Sequence, residues 1–309
     1  ESRVISALIN AAKNGKKVTV FIELQARFDE ANNIHWTNKL RSEGIRVVSG
    51  VPGLKVHSKL TLIRRMEDDK LRDYAIIGTG NYHEGTAKVY TDYHLLTADK
   101  RIAREARKVF KFIESPYLHQ TFSHLFISPT STREGFVQCI DREIEHAKAG
   151  REAKFWVKIN SLSDHGMIEK LYEASAAGVQ IRMIIRGINC MQMDHPELSK
   201  NIQAISIVDR FLEHTRSFYF HNNGESEYYI SSADWMTRNL DRRVEVTARI
   251  YDLKIQRQLR DHFEILWKDN TKSRWFNAEQ TNDYRKLSGP RIRSQVELHN
   301  YVIKQLKKG

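Results

Sequence analysis

Residues 53–65 read "GLKVHSKLTLIRR". Apolar and polar residues alternate with the period of a strand, and the alternation puts His57, Lys59 and Thr61 on one face. A single such pair has an ordinary explanation: a hydrogen-bonded histidine beside a lysine that lays its stem on apolar surface and reaches water. Its meaning depends on whether the chain holds a second.

It does. "HTRSFYFHN" at 214–222 again sets a His and a basic residue two apart, His214 and Arg216. Working outward, "ISALINAAKNGKKVTVFIELQAR" (5–27) and "IEKLYEASAAGVQIRMIIRG" (168–187) each read as an amphipathic helix, a Gly at its end (Gly15, Gly178) and a β-branched strand that closes near Arg27 or Arg186. "YAIIGTGN" (74–81) matches "EYYISSAD" (227–234), a strand running into a small-residue turn that ends in Asn81 or Asp234. Eleven residues beyond each lies a carboxylate, Asp92 in "VYTDY" and Glu245 in "RRVEV". Helix–Gly–strand units are common, but the ordered set with equal spacing points to an internal duplication.

The repeat organises the rest. The first unit reads as helix 2–14, strand 17–24, helix 29–43, strands 45–49, 54–65, 72–79 and 89–97, and helix 99–114. "ESPYLHQTFSHLFISPTS" (114–131) holds two of the five prolines and reads as a linker. The second unit opens with helix 133–149 and closes with helix 253–268, and a charged tail follows with a helix at 293–308. In it, strand "AKFWVKINSL" (153–162) precedes the helix at 164–177, whereas the first unit opens directly on its helix at Glu1. A matching strand is therefore expected upstream, in a larger protein. The expected architecture is α/β: two domains, 1–125 and 126–309, each a mixed β-sheet flanked by helices and related by a pseudo-twofold duplication.

Composition sets the bounds. The 309 residues, 40% of them hydrophobic, suffice for two cores, and no apolar run approaches the ~18 residues of a membrane span. Cys139 and Cys190 form no CxxC, so neither zinc nor a disulfide framework is indicated, which fits a reducing cytoplasm. The net charge of +12 implies an anionic partner. The 13 His fall into no HExxH spacing, there is no GxxxxGK[ST], and "GTGNYH" is not a GxGxxG fingerprint.

Two His-basic pairs have a definite chemistry. A His supplies a nucleophile, base or acid near neutral pH, and an adjacent Lys or Arg holds anionic oxygens. Small residues at 78–80 and 231–233 let backbone N–H groups approach an anion. A carboxylate behind each His fixes its tautomer. Facing each other, the two sets make one site, in which one His attacks phosphorus and the other serves the leaving group.

Here the residues carry a resemblance. The duplicated His-x-Lys/Arg with its GTGN or SSAD turn resembles the phospholipase D superfamily. The strings "ELQARFDEANNIHW", "GLKVHSKL", "IGTGNYHEGTAKVYTDY", "SIVDRFLEHTRSFYF" and "ISSADWMTRNLDRRVEV" resemble the two C-terminal domains of class-one bacterial polyphosphate kinases over nearly the whole chain. The Asp of the lipase-like HxKxxxxD pattern is replaced by Arg64 and His221, which disfavours phospholipase activity.

The resemblance implies reversible transfer of the terminal phosphate of ATP to inorganic polyphosphate through a phosphohistidine. It makes His57 the nucleophile and His214 the second catalytic His, with Lys59 beside the nucleophile and Asp92 and Glu245 as orienting carboxylates. It assigns Tyr90, Arg186 and His214 to ATP; Asn81 and Arg216, singled out by the repeat, are the further phosphate-binding candidates, with Arg27. Arg27 matches a family position of the Mg2+ site, and because a guanidinium is a poor metal ligand it is read as holding a phosphate that magnesium also binds. The family's companion Arg and its N-terminal and head domains are absent. Expected partners are polyphosphate and ATP or ADP, with no nucleic acid. The full-length enzyme is expected to be a cytoplasmic homo-oligomer, or peripheral at the inner membrane. The rival readings are a phospholipase D-like phosphodiesterase or nuclease, and an inactive anionic-polymer-binding fragment. Trp36, Trp235, His35, His83 and His94 are read as structural or exposed.

Overall fold

The computed structural model describes residues 2–23 and 30–307. The first half runs α1 (Arg3–Lys13), β1 (Thr19–Ile22), α2 (Glu30–Ser42), β2 (Arg46–Ser49), β3 (Lys55–Val56), β4 (Lys59–Glu67), β5 (Lys70–Gly78), α3 (Glu84–Ala87), β6 (Tyr90–Thr91), β7 (His94–Thr97) and α4 (Lys100–Glu114). The second runs β8 (Leu125–Ser128), α5 (Thr132–Lys148), β9 (Lys154–Ile159), α6 (His165–Ala176), β10 (Gln180–Ile185), β11 (Ile202–Ile207), β12 (Leu212–Glu213), β13 (Ser217–Phe220), β14 (Glu227–Ser231), α7 (Thr237–Asp241), β15 (Arg243–Ile250), α8 (Leu253–Trp267), β16 (Ser273–Trp275) and α9 (Ser294–Leu306).

Local chemistry sets these boundaries. Ser2, Asp99, Asp164 and Asp252 each accept a backbone N–H in the first turn of α1, α4, α6 or α8, which satisfies donors the helix leaves unpaired. Gly15 and Gly178 close α1 and α6 at φ of 74° and 97°, a region that side chains with a Cβ resist. No described helix is long and apolar enough to cross a membrane.

The second half is one mixed sheet in the order β16-β11-β10-β9-β13-β14-β15-β3, with β8 also paired to β15. The parallel strand β9 is almost continuously buried, and β10 is buried except at Gln180 and Arg182, as covered parallel strands are expected to be. Helices α5 and α6 cover one face over Phe136, Val157, Met183, Phe218 and Trp235. On the other face Trp156, Ile184, Ile230 and Val246 meet Phe263 and Trp267 of α8 and, from the first half, Val109, Phe112 and Ile113 of α4. The halves therefore share a core. Each of those α4 side chains contributes roughly 1.5–3 kcal/mol if fully buried.

The first half differs from the expected single sheet. Its described strands form a parallel pair, β1-β2, and an antiparallel set, β4-β5-β7. In the second half β9 joins β10 to β13, whereas no described strand stands between the corresponding β1 and β4. A second difference concerns 114–131, read as a linker: it contains β8, which pairs antiparallel with β15.

The main departure is where strands were read as continuous. The strand expected over 54–65 breaks at His57 and Ser58, whose N–H groups both donate to the carbonyl of Val244. Before the break β3 pairs parallel with β15 of the second half; after it β4 pairs with β5 of the first. The strand expected over 89–97 breaks at Asp92 and Tyr93. Here β6 pairs parallel with β12 of the second half, while β7 pairs with β5. His214 likewise lies between β12 and β13. At His57, Asp92 and His214 the chain passes from pairing across the halves to pairing within its own half.

Candidate active site

These crossings determine which carboxylate each histidine meets. His57 Nδ1 lies 2.8 and 2.9 Å from the Glu245 oxygens. His214 Nδ1 lies 2.9 and 3.1 Å from those of Asp92. Each histidine thus pairs with the carboxylate of the other half. The carboxylate fixes Nδ1 as the protonated nitrogen of the neutral ring, which leaves the Nε2 lone pair available. Burial lowers the proton affinity of both imidazoles below the usual histidine range, against the opposing pull of their carboxylates.

Each carboxylate is held from its own half by a hydroxyl thirteen residues earlier. Thr79 Oγ1 donates to Asp92 Oδ1 at 2.6 Å, and Ser232 Oγ donates to Glu245. Asn239 Nδ2 adds a bond of 2.7 Å to Glu245. Burial alone would raise both carboxyls. The bonds from His214 and Thr79 to Asp92, and the charge and hydrogen bond of His57 with Lys59 and Ser232 around Glu245, outweigh it and keep both below their ordinary values.

The turns do different work from that expected. The sequence pattern predicts that glycine at 78 and 80 lets the backbone approach an anion. A Cβ on Gly80 would meet Asp92 Oδ2 at 1.9 Å, and one on Gly78 would meet the His94 ring at 2.6 Å. The space is taken by side chains, one of them the carboxylate that orients His214. Asn81 and Asp234, matched by the repeat, also part company. Asn81 is exposed, while buried Asp234 accepts both Arg216 (3.2 and 3.0 Å) and the Asn160 N–H (2.7 Å).

The cations around the two couples do not all face outward. Lys59 is buried, donates to the His57 carbonyl, and is pushed down to about 7 by burial, with Arg216 and Arg243 adding to the shift and Glu245 opposing it. Arg216 bridges the halves, donating to the Thr79 carbonyl at 3.1 Å as well as to Asp234. Its NH1 lies 3.1 and 3.4 Å from the two ring nitrogens of His214, which sets the guanidinium against the ring. Arg186, at the end of β10, donates to Asn160 Oδ1 at 3.1 Å and is within electrostatic reach of Tyr90, Arg216 and Asp234. The Tyr90 ring packs 5.0 Å from that of His214. The structure thus brings together His57, Lys59, Tyr90, Asp92, Arg186, His214, Arg216 and Glu245. Arg27 lies outside the described residues.

Sequence reading passed over Arg243. Its NH1 is 4.0 Å from Glu245 and its charge acts on both His57 and Lys59. The repeat held the clue, since Arg243 precedes Glu245 by two residues as Tyr90 precedes Asp92. Trp235 is fully buried against Phe136 and Phe218, the structural role given to it.

The donor set does not fit a protein-ligated magnesium. Asp92, Glu245 and Asp234 are each committed to a histidine or arginine, and among the described residues no three His, Cys, Asp or Glu converge on a metal position. A cavity of about 630 Å³ lies at the far ends of β9 and β10, lined by Lys154, Trp156, Arg182, Tyr219, Arg260 and Glu264 among others. It holds none of the paired residues, and its Lys154, Arg182 and Arg260 are matched by Glu152, Glu264 and Asp261.

Comparison with known proteins identifies the family. Residues 1–119 match the family described as polyphosphate kinase C-terminal domain 1, and residues 125–295 match polyphosphate kinase C-terminal domain 2. A polyphosphate kinase of Yersinia pestis is 50% identical over 303 residues, 98% of this chain and 44% of its own length. One from Escherichia coli (strain K12) is 46% identical over the same shares. The chain therefore spans less than half the length of these relatives. A crystal structure of polyphosphate kinase from Porphyromonas gingivalis superposes with a TM-score of 0.93 at 38% identity, over 100% of this chain and 47% of that one. Phosphatidylserine synthase of Haemophilus influenzae, at 9% identity, TM-score 0.59, 100% of this chain and 86% of its own, shares the fold alone.

Proposed function

Since this chain belongs to the polyphosphate kinase family, we propose that it forms the catalytic half of an ATP:polyphosphate phosphotransferase working through phosphohistidine at His57. The observation that carries the reading is the reciprocal pair of His–carboxylate couples, each drawing one member from either half. With Nδ1–H donated to Glu245, His57 Nε2 attacks the terminal phosphorus of ATP. The bond from that phosphorus to the bridging oxygen of ADP breaks as the P–N bond forms, and ADP leaves with the electron pair. In the second step a terminal oxygen of polyphosphate attacks the same phosphorus, the P–N bond breaks, and its electrons return to Nε2. Run backwards, the sequence makes ATP.

His214, oriented by Asp92 and flanked by Tyr90 and Arg186, serves the nucleotide phosphates. An arriving polyanion raises the proton affinity of both rings and of Lys59, so the second histidine can carry a proton to the leaving oxygen while Lys59 holds charge. Arg186, Arg216 and Arg243 offset the charge that builds on the transferring group. Polyphosphate is the acceptor, and a magnesium ion would be held by the phosphates rather than by these carboxylates. The same proposal takes the full-length enzyme as a homo-oligomer acting in the cytoplasm or at the membrane's inner face.

Phosphorus-31 spectroscopy after addition of ATP tests the reading. An acid-labile phosphoramidate is expected. Cleavage of a phosphodiester without ATP, or no phosphorylation at all in the full-length enzyme, would sink it.

A further inference from the structure

The two histidine couples are not braced alike. Behind His214 lies a buried polar cluster that reaches the C-terminal tail. Glu213, one residue before it, is almost wholly buried. Glu213 accepts Lys158 Nζ at 3.1 Å, Gln295 Nε2 at 2.8 Å and Thr91 Oγ1 at 3.3 Å. Lys158, equally buried, donates at 2.6 Å to the hydroxyl of Thr215, one residue after His214.

Gln295 stands in the first turn of α9. Its amide accepts the Phe211 N–H at 3.0 Å and donates to the Phe211 carbonyl at 2.8 Å, so it pairs with that residue as a strand would. The start of α9 is itself fixed: Arg293 donates twice to Asp209, at 2.8 and 2.6 Å, and the Ser294 N–H donates to the buried Asp269 at 2.7 Å. A second strut from the same helix reaches the partner carboxylate. Tyr301 packs edge-on against His262, and His262 Nδ1 is 2.9 Å from the hydroxyl of Tyr93, next to Asp92. The tail therefore holds both members of the His214–Asp92 couple. In the other couple the Glu245 carboxylate is held by Ser232 and Asn239 and the His57 backbone by Lys59 and Val244, and among the described residues none of these bonds comes from α9.

We propose that Gln295 is a positioning residue for His214, clamping Phe211 and Glu213 so that the C-terminal helix sets the second histidine against Asp92. The clamp spans the short strand β12, which also pairs with β6. Truncating the amide leaves Phe211 and the buried Glu213 each short of a partner, a cost that loosening of the 211–214 segment relieves. The selectivity is the point: the second histidine loses its register and the first keeps its own.

This inference rests on the phosphotransfer reading only for its kinetic arm. In full-length protein labelled at histidine with nitrogen-15, the low-field Nδ1–H proton signals of His57 and His214 report their carboxylate bonds directly. In Gln295→Ala the His214 signal should broaden or vanish while that of His57 stays. Phosphotransfer should slow about tenfold in kcat, with phosphorylation of His57 still detected. In Gln295→Glu the loss should be larger, because two carboxylates then face each other. The His57 signal, retained in each variant, guards against a variant that merely fails to fold. Unchanged signals for both histidines, or equal loss of both, would overturn the proposal. Loss of the His214 signal with an unchanged rate would uphold the clamp and overturn the catalytic role of His214.

Discussion

His57 and Glu245 are 188 residues apart in sequence and 2.8 Å apart in the fold. The bond joins the histidine of the first repeat to the carboxylate of the second, and His214 and Asp92 make the reverse connection at 2.9 Å. Neither half can hold a complete catalytic couple alone, so the chemistry is tied to the docking of the two.

Crossed wiring makes the carboxylate variants distinguishable. Glu245→Gln should slow phosphorylation of His57 by on the order of 10⁴-fold, the scale seen when an orienting acid is replaced by its amide. Asp92→Asn should leave His57 able to take phosphate and slow turnover through His214. Rapid-quench labelling with radioactive ATP separates the two, and a reversed pattern would mean that each carboxylate serves the histidine of its own half.

The histidines themselves should not be interchangeable. His57→Ala should abolish the phosphoenzyme outright. His214→Ala should retain it while slowing transfer by roughly 10²–10⁴-fold, the worth of a positioned proton donor. Mass spectrometry under non-acidic handling locates the phosphate. Finding it on His214 in the His57→Ala protein would exchange the two roles.

Gly80 gives a test of packing. In Gly80→Ala the new methyl must displace Asp92, because the space between them is already taken. A loss of about 1–3 kcal/mol in urea unfolding is expected, as for other overpacked sites, together with slower turnover. The repeat already has Ala233 at the matching position, so Ala233→Gly should cost no more than about 1 kcal/mol.

The hydroxyl supports should differ in worth. Ser232→Ala removes a bond to a carboxylate with no solvent exposure, and Thr79→Ala removes one from a carboxylate with some. A hydrogen bond to a charged group contributes about 1.5–3 kcal/mol, so Ser232→Ala should fall near the upper end and Thr79→Ala near the lower. Chemical denaturation of the two variants side by side checks the order.

The pH dependence has a fixed sign. His57 attacks as the neutral ring, and burial holds its proton affinity below the usual histidine range. In the free enzyme His57 should therefore stay neutral as pH falls to the ordinary histidine value of about 6.5 and gain its proton only below it. The same shift gives a stability term that is fully present above about 6.5 and lost as pH falls through the lower native value. Nitrogen-15 chemical shifts of the His57 ring in the free enzyme between about pH 8 and pH 5 measure the first. Protonation already complete above the ordinary histidine value would contradict the neutral-nucleophile assignment.

The duplication, both His-basic pairs, both carboxylates and Arg186 were legible in the sequence, because a repeated order and spacing survive in the covalent chain whatever the fold does with them, whereas Tyr90 was implied only by the family resemblance. Strand periodicity was less reliable where it mattered. It carried one strand through His57 and another through Asp92, and both break there, since the hydrogen-bonding partner changes from one half to the other and residue type does not record a partner. The glycines of "GTGN" read the same whether a phosphate or a carboxylate fills the space beside them, and only the neighbouring Asp92 decides. Arg243 was hidden for a similar reason, its meaning coming from Glu245 and His57 around it. Gln295 carries no motif at all. Its bonds to Phe211 and Glu213 exist because α9 folds back on the second half, and a contact across more than 80 residues is a property of the packed chain alone.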